Sequence, residues 1–174
     1  MKGLFFTVIL MTLFILTDAQ ESAKKSSKLC KEEKQAEQIK KVKELVENQT
    51  FAFSVRQAVP LCGDPVSLDY LYSLKIDNGY TNSHLPFYGF ESDYNIENSP
   101  IDFKKPYENY SIKKEKNNYV VNFNVPGEND DNMKFYLRIS ELGYAYLKIS
   151  SDQRQCISFQ GMIEEVKPTV FSSF

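Results

Sequence analysis

The spacing of apolar residues changes once along the chain, at Asn48. Before it, Leu29, Ala36, Ile39, Val42, Leu45 and Val46 recur at helical intervals among Lys, Glu and Gln. This predicts an amphipathic helix from Ser26 or Ser27, either a fair N-cap, to Asn48. The stripe is narrow, suited to covering one edge or mouth of a sheet. After Asn48 the period is two, the spacing that sends one side of a strand to a core.

Phe51, Phe53 and Val55 alternate with Ala52, Ser54 and Arg56. Val66, Leu68, Tyr70, Tyr72, Leu74 and Ile76 keep strict alternation and predict one long strand. Asp77-Asn78-Gly79 is a strong hairpin signal, because Asn and Gly accept the positive φ angles of a tight primed turn. The chain then returns from Tyr80 to Tyr88, with Leu85 and Phe87 predicted inward and His84, Pro86 and Tyr88 outward. Tyr110 and Ile112 lead through Lys116-Asn117-Asn118 to Tyr119, Val121, Phe123 and Val125. Met133, Phe135, Leu137 and Ile139 turn at Glu141-Leu142-Gly143 into Ala145, Leu147 and Ile149, and Ile157, Phe159 and Ile163 follow. Hairpin follows hairpin, so sequence neighbours are expected to be sheet neighbours. The expected fold class is α+β and mostly antiparallel β. An N-terminal helix packs on a curved meander of about eight strands, closed as a two-layer sandwich or a partial barrel.

The first residues stand outside this grammar. Lys2 precedes an apolar run from Leu4 to Leu16, and Thr17-Asp18-Ala19 follows, the three-part form of a secretory signal cleaved after Ala19. The run is short of the roughly 20 residues that span a bilayer. Cys30 lies too far beyond it for a lipid-anchoring motif. The expectation is an exported protein, periplasmic or secreted, soluble, not lipid-anchored and not inserted in a membrane after cleavage. Residues 1–19 are then signal, 20–27 a flexible N-terminus, 28–166 one helix-plus-β domain and 167–174 a frayed tail.

Formal net charge is −2, which gives no general attraction to nucleic acid or anionic lipid. Residues 24–48 carry eight Lys against five Glu, a balance that fits a solvated helix face interrupted by acids. Three cysteines, Cys30, Cys62 and Cys156, allow one disulfide and a free thiol, and their spacing does not choose the pair. Eleven Tyr and 13 Phe make the chain rich in aromatics.

Several short stretches, taken in order, resemble the exported bacterial domain of unknown function 4251 family. They are Phe51-Ala-Phe53, Ala58-Val-Pro-Leu-Cys-Gly63, Leu85-Pro-Phe-Tyr-Gly89 and Ile101-Asp-Phe103. Near the C-terminus come Gly143-Tyr-Ala-Tyr-Leu147, Ser150-Ser151 and Arg154-Gln-Cys-Ile-Ser-Phe-Gln-Gly161. The resemblance covers about residues 30 to 165. It implies an exported, antiparallel β-rich domain and no particular activity. The chain departs from that pattern in lacking a lipobox cysteine and in carrying Cys62 and Cys156.

Candidate chemistry is sparse. His84 is the single histidine, which excludes His-rich zinc sites, and no Cys-x-x-Cys or His-Glu-x-x-His spacing is present. As a general base it would need an orienting carboxylate, such as Asp93 or another, and a nucleophile; otherwise it is a solvent-facing strand residue. Gly127-Glu-Asn-Asp-Asp-Asn132 offers oxygen ligands but lacks the spacing of an EF-hand, and a polar hairpin loop needs such residues anyway. No cofactor or metal site is expected. Tyr136, Tyr144 and Tyr146 lie opposite the apolar alternation of their strands, and Tyr88, Phe90 and Tyr94 crowd one connection. These six residues are the candidate binding residues, unless a second layer covers them. The expected function is non-catalytic binding of a partner protein, a glycan or a small apolar ligand. The alternative is a periplasmic hydrolase built on a carboxylate cluster, with His84 as a possible member.

Overall fold

The computed structural model describes residues 30–69, 71–88, 100–127 and 132–166. Helix α1 covers residues 30–47. The chain divides into two units between Glu37 and Gln38, and helix positions 30–37, in the first, are all exposed. From Gln38 the chain forms a second unit, in which Val42 and Val46 are fully buried. Among the described residues of the expected stripe, Val42 and Val46 are the buried ones. Ala36 is exposed, Ile39 is 37% exposed, and Leu29 lies outside the described residues. Gln38 Nε2 donates to Leu142 O (3.3 Å) and Lys41 pairs with Glu165 (2.8 Å).

The strands are β1 (Thr50–Pro60), β2 (Val66–Ser67), β3 (Ser73–Asp77), β4 (Tyr80–Leu85) and β5 (Ile101–Pro106). They continue with β6 (Glu108–Glu115), β7 (Asn118–Pro126), β8 (Asn132–Ser140), β9 (Tyr144–Ser150) and β10 (Ile157–Glu164). Among the described residues all strand pairings are antiparallel, in the order β5-β4-β3-β1-β10-β9-β8-β7-β6, with β2 beside β1. The sheet curls into a half-barrel, so the partial barrel is the closure the chain adopts. The strands alternate as the sequence predicts. Phe51, Phe53, Leu74, Ile76, Val121, Phe123, Phe135, Leu137, Leu147 and Phe159 all point inward and are buried.

The sheet differs from expectation in three places. The stretch from Val66 to Ile76 is two strands. β1 carries a bulge against β10 between Val55 and Gln57, and at that level its other edge passes from β3 to β2. β3 pairs with Thr50 to Ser54 and β2 with Gln57 and Ala58, while Val55 N–H donates to Tyr72 O and Leu68 N–H to Arg56 O across the break. β5 is an additional strand, with Ile101 buried and Phe103 half-buried. Finally, Pro86 is buried and Tyr88 half-buried against the core, because β4 ends at Leu85 and the chain folds inward there.

Turns form where the residues allow positive φ, as at Asn78 (39°), Gly79 (95°), Lys116 (54°) and Gly143 (91°). The two outermost strands, β5 and β6, are separated by Tyr107 alone. One stretch, 101–115, thus pairs with β4 through its first half and β7 through its second. Tyr107 fixes the joint. Its N–H donates to Gly79 O (3.1 Å), its hydroxyl accepts from Gly79 N–H (2.8 Å) and donates to Gln49 Oε1 (3.1 Å). Lys105 Nζ reaches Pro126 O (3.3 Å) beyond the joint.

Candidate functional site

Residues that alternate inward on β7, β8 and β9 leave the intervening ones on the outer face, and strand register sorts those into rows. Asn124, Lys134 and Ser150 form one row; Asn122, Tyr136, Lys148 and Ser158 form the next. A third contains Arg138, Tyr146, Gln160 and Gln57. Asn122, Asn124, Lys134, Tyr136, Lys148 and Ser150 from the first two rows line an open groove of about 470 Å³, together with Phe135. Tyr136 stands in the groove at 37% exposure, directly opposite Asn122 and Lys148. Tyr146 is equally exposed, and its hydroxyl donates to Ser158 Oγ (2.7 Å), which fixes the ring along the sheet. Tyr144 is 61% exposed at the far end of β9.

Lys134, Arg138 and Lys148 have no ion-pair partner among the described residues. On β7–β10 the three rows hold no carboxylate; Glu108 on β6 continues the first row beside Asn124, and Glu164 lies further along β10, so the positive charge is local to Lys134, Lys148 and Arg138. Amide, hydroxyl, ammonium and phenol groups together suit an extended polar ligand bearing hydrogen-bonding groups and some negative charge.

The described interior is lined by packed apolar side chains. Thr81 and Ser83 are its buried polar side chains, and they donate to Lys75 O (3.0 Å) and Ile101 O (2.7 Å). A crevice at the strand ends, beside Phe87, Ile101, Met133 and Arg154, holds about 10 Å³. That is at the lower limit for one water molecule.

His84 faces solvent on β4, as its position in the alternation predicts, and it has company. Its Nδ1 lies 2.9 Å from Oδ2 of Asp102, directly across on β5, and its ring stacks on Tyr72 at 5.4 Å. Ser73 is its neighbour on the other side, on β3. Both members of the ion pair are about half exposed, at 51% and 53%. Among the described residues no three His, Cys, Asp or Glu side chains converge on a metal-sized site. Cys30, Cys62 and Cys156 are free thiols.

Of the six aromatic candidates, the structure brings Tyr136, Tyr144 and Tyr146 onto one outer face and turns Tyr88 toward the core. Phe90 and Tyr94 lie outside the described residues, as do Asp93 and positions 128–131 of the acidic loop. Sequence reasoning missed Asn122, Asn124, Lys134, Lys148 and Ser150, and it missed Asp102 with β5. The signal for the first five was their place on the polar side of strands whose apolar side was read correctly. Only the register joins them into rows.

A family model, the domain of unknown function DUF4251, matches residues 33–163. The chain belongs to the DUF4251 family. A crystal structure of a DUF4251 family protein from Bacteroides eggerthii DSM 20697 has a similar fold, with a TM-score of 0.60 at 13% identity. The likeness covers 75% of this chain and 91% of that one. No curated protein matches. The DUF4251 match runs from within α1 to within β10, so the outer rows of β7–β9 lie wholly inside the family's domain. No helix among the described residues is long and apolar enough to cross a membrane.

Proposed function

We propose that this DUF4251 chain is an exported, non-catalytic domain that binds a glycan across the outer face of β7–β9. One observation carries the reading: Tyr136 stands in an open groove between Asn122 and Lys148, within a grid of hydrogen-bonding side chains. A sugar ring presents an apolar C–H face to stack on a phenol, and hydroxyls at its edge to pair with amides. A polar, charged groove argues against an apolar protein interface and against a small apolar ligand on this face. Isothermal titration against soluble polysaccharides tests the reading. Micromolar to millimolar binding is expected, weakened at least about tenfold by Tyr136→Ala with the fold intact. Binding that ignores Tyr136, or a protein partner taking up the same face, would replace it.

A hydrolytic reading has one observation in its favour, the row Ser73, His84, Asp102 on adjacent strands. A carboxylate at Nδ1 is how a general-base histidine is oriented. Fluorophosphonate labelling of Ser73 that disappears in His84→Gln would establish it. Without such labelling the row is a surface ion pair.

A further inference from the structure

The charge on this face narrows the class of glycan, an inference that rests on the binding reading above. Lys134 lies two residues before Tyr136 on β8, and Lys148 lies directly across from Tyr136 on β9. Two exposed cations therefore flank one ring, one along the strand and one across it. Neither is neutralised by a carboxylate among the described residues, and Arg138 adds a third unpaired cation on the next row. On an ordinary solvated sheet face, lysines alternate with acids across strands, because opposite charges pair favourably there and like charges repel. Here no acid lies beside Tyr136, Lys134 or Lys148 among the described positions of β7–β9, and the first carboxylate along these rows is Glu108, beyond Asn124 on β6. A neutral sugar has no use for these cations.

We infer that the ligand is an acidic glycan, one whose sugars carry carboxylates. A uronate stacked on Tyr136 would present its ring hydroxyls to Asn122 and Asn124 and its carboxylate to Lys134 or Lys148, through charge-assisted hydrogen bonds. Nucleic acid fits less well. Its affinity is built from many phosphate contacts and successive stacked bases, whereas this groove holds two cations and one ring.

The experiment is affinity electrophoresis of the full chain in polygalacturonate, alginate and hyaluronan, each beside its carboxyl-reduced counterpart, with single-stranded DNA as a further arm. Retardation by at least one acidic polymer is expected, about tenfold stronger than by its reduced form and weakened by salt. Lys134→Gln and Lys148→Gln should each lower affinity about threefold, with recovery in the arginine variants. Equal binding of acidic and reduced polymers would overturn the acidic assignment and leave glycan binding standing. Failure of all polymers would overturn both. DNA binding as tight as that of the best polyuronate would make the patch a general polyanion surface and overturn the assignment as well.

Discussion

Phe123 and Phe135 sit opposite each other on β7 and β8, with ring centroids 4.8 Å apart and planes 7° from parallel. The stack extends at both ends. Tyr107 and Tyr110 lie 5.5 Å and 6.1 Å from Phe123, and Phe103 meets the edge of Phe135 at 6.1 Å. Five rings thus tie both halves of the 101–115 stretch to β7 and β8. Phe135→Ala removes the central ring and leaves a cavity, with an expected loss of about 3–5 kcal/mol. Urea unfolding followed by far-UV circular dichroism measures it. A loss below about 1 kcal/mol would mean that the rings do not anchor that stretch.

The Tyr110 hydroxyl is buried with no hydrogen-bond partner in this stack. Burial raises its pKa well above the ordinary tyrosine value, and the neighbouring Tyr107 adds to the effect. The folded state then keeps a proton that the unfolded chain releases above about pH 10. Stability should be unaffected below that pH and fall as pH rises past it, by up to about 1.4 kcal/mol per unit. Tyr110→Phe should be neutral or slightly stabilising at pH 7, since it removes an unsatisfied group. Its unfolding free energy should decline less steeply than the parent's between pH 10 and 11. Parallel curves would remove this account.

A Cβ at Gly161 would overlap the carbonyl oxygen of Ser54, directly beside the bulge in β1. The obstruction is backbone, which cannot swing aside as a side chain can. Gly161→Ala should therefore cost about 3 kcal/mol, near the upper end for overpacking, and lower the thermal midpoint accordingly. A variant as stable as the parent would mean that β1 and β10 separate at the bulge without penalty.

Tyr107→Phe keeps the ring in the stack and removes the hydroxyl that accepts from Gly79 N–H. The half-buried donor loses its partner, with an expected cost of about 1–2 kcal/mol. Amide hydrogen exchange locates the effect. Gly79 and the β3–β4 turn should lose protection while β8 and β9 keep theirs. Uniform loss across the sheet would argue against a local clasp.

The meander was legible because its information is local. Alternation marks each strand, and Asn78-Gly79 or Gly143 marks a turn through φ angles that few other residues accept. β5 escaped notice because Ile101 and Phe103 give way at once to Lys104, Lys105 and Pro106. The break between β2 and β3 falls at the level of the bulge in β1, a feature of the partner strand that no residue between Leu68 and Tyr72 announces. The candidate site was half visible. Tyr136, Tyr144 and Tyr146 betray themselves by opposing the apolar alternation, but Asn122 joins Tyr136 only through register. His84 looked solitary for the same reason: Asp102 is 18 positions away in sequence and becomes its neighbour only when β4 pairs with β5.

A sheet with two outermost strands would ordinarily offer two long templates on which another molecule could build. Here both belong to one stretch, and each half has only one side left unpaired. An incoming strand could follow β5 for no more than Ile101 to Pro106, or β6 for no more than Glu108 to Glu115, before the protein's own ladder blocked it. Pro106 withholds a donor on the first length, and the register shift between Glu108 and Ser111 distorts the second. The same arrangement that lets a nine-strand path curl round on itself also makes it a poor seed for fibrils.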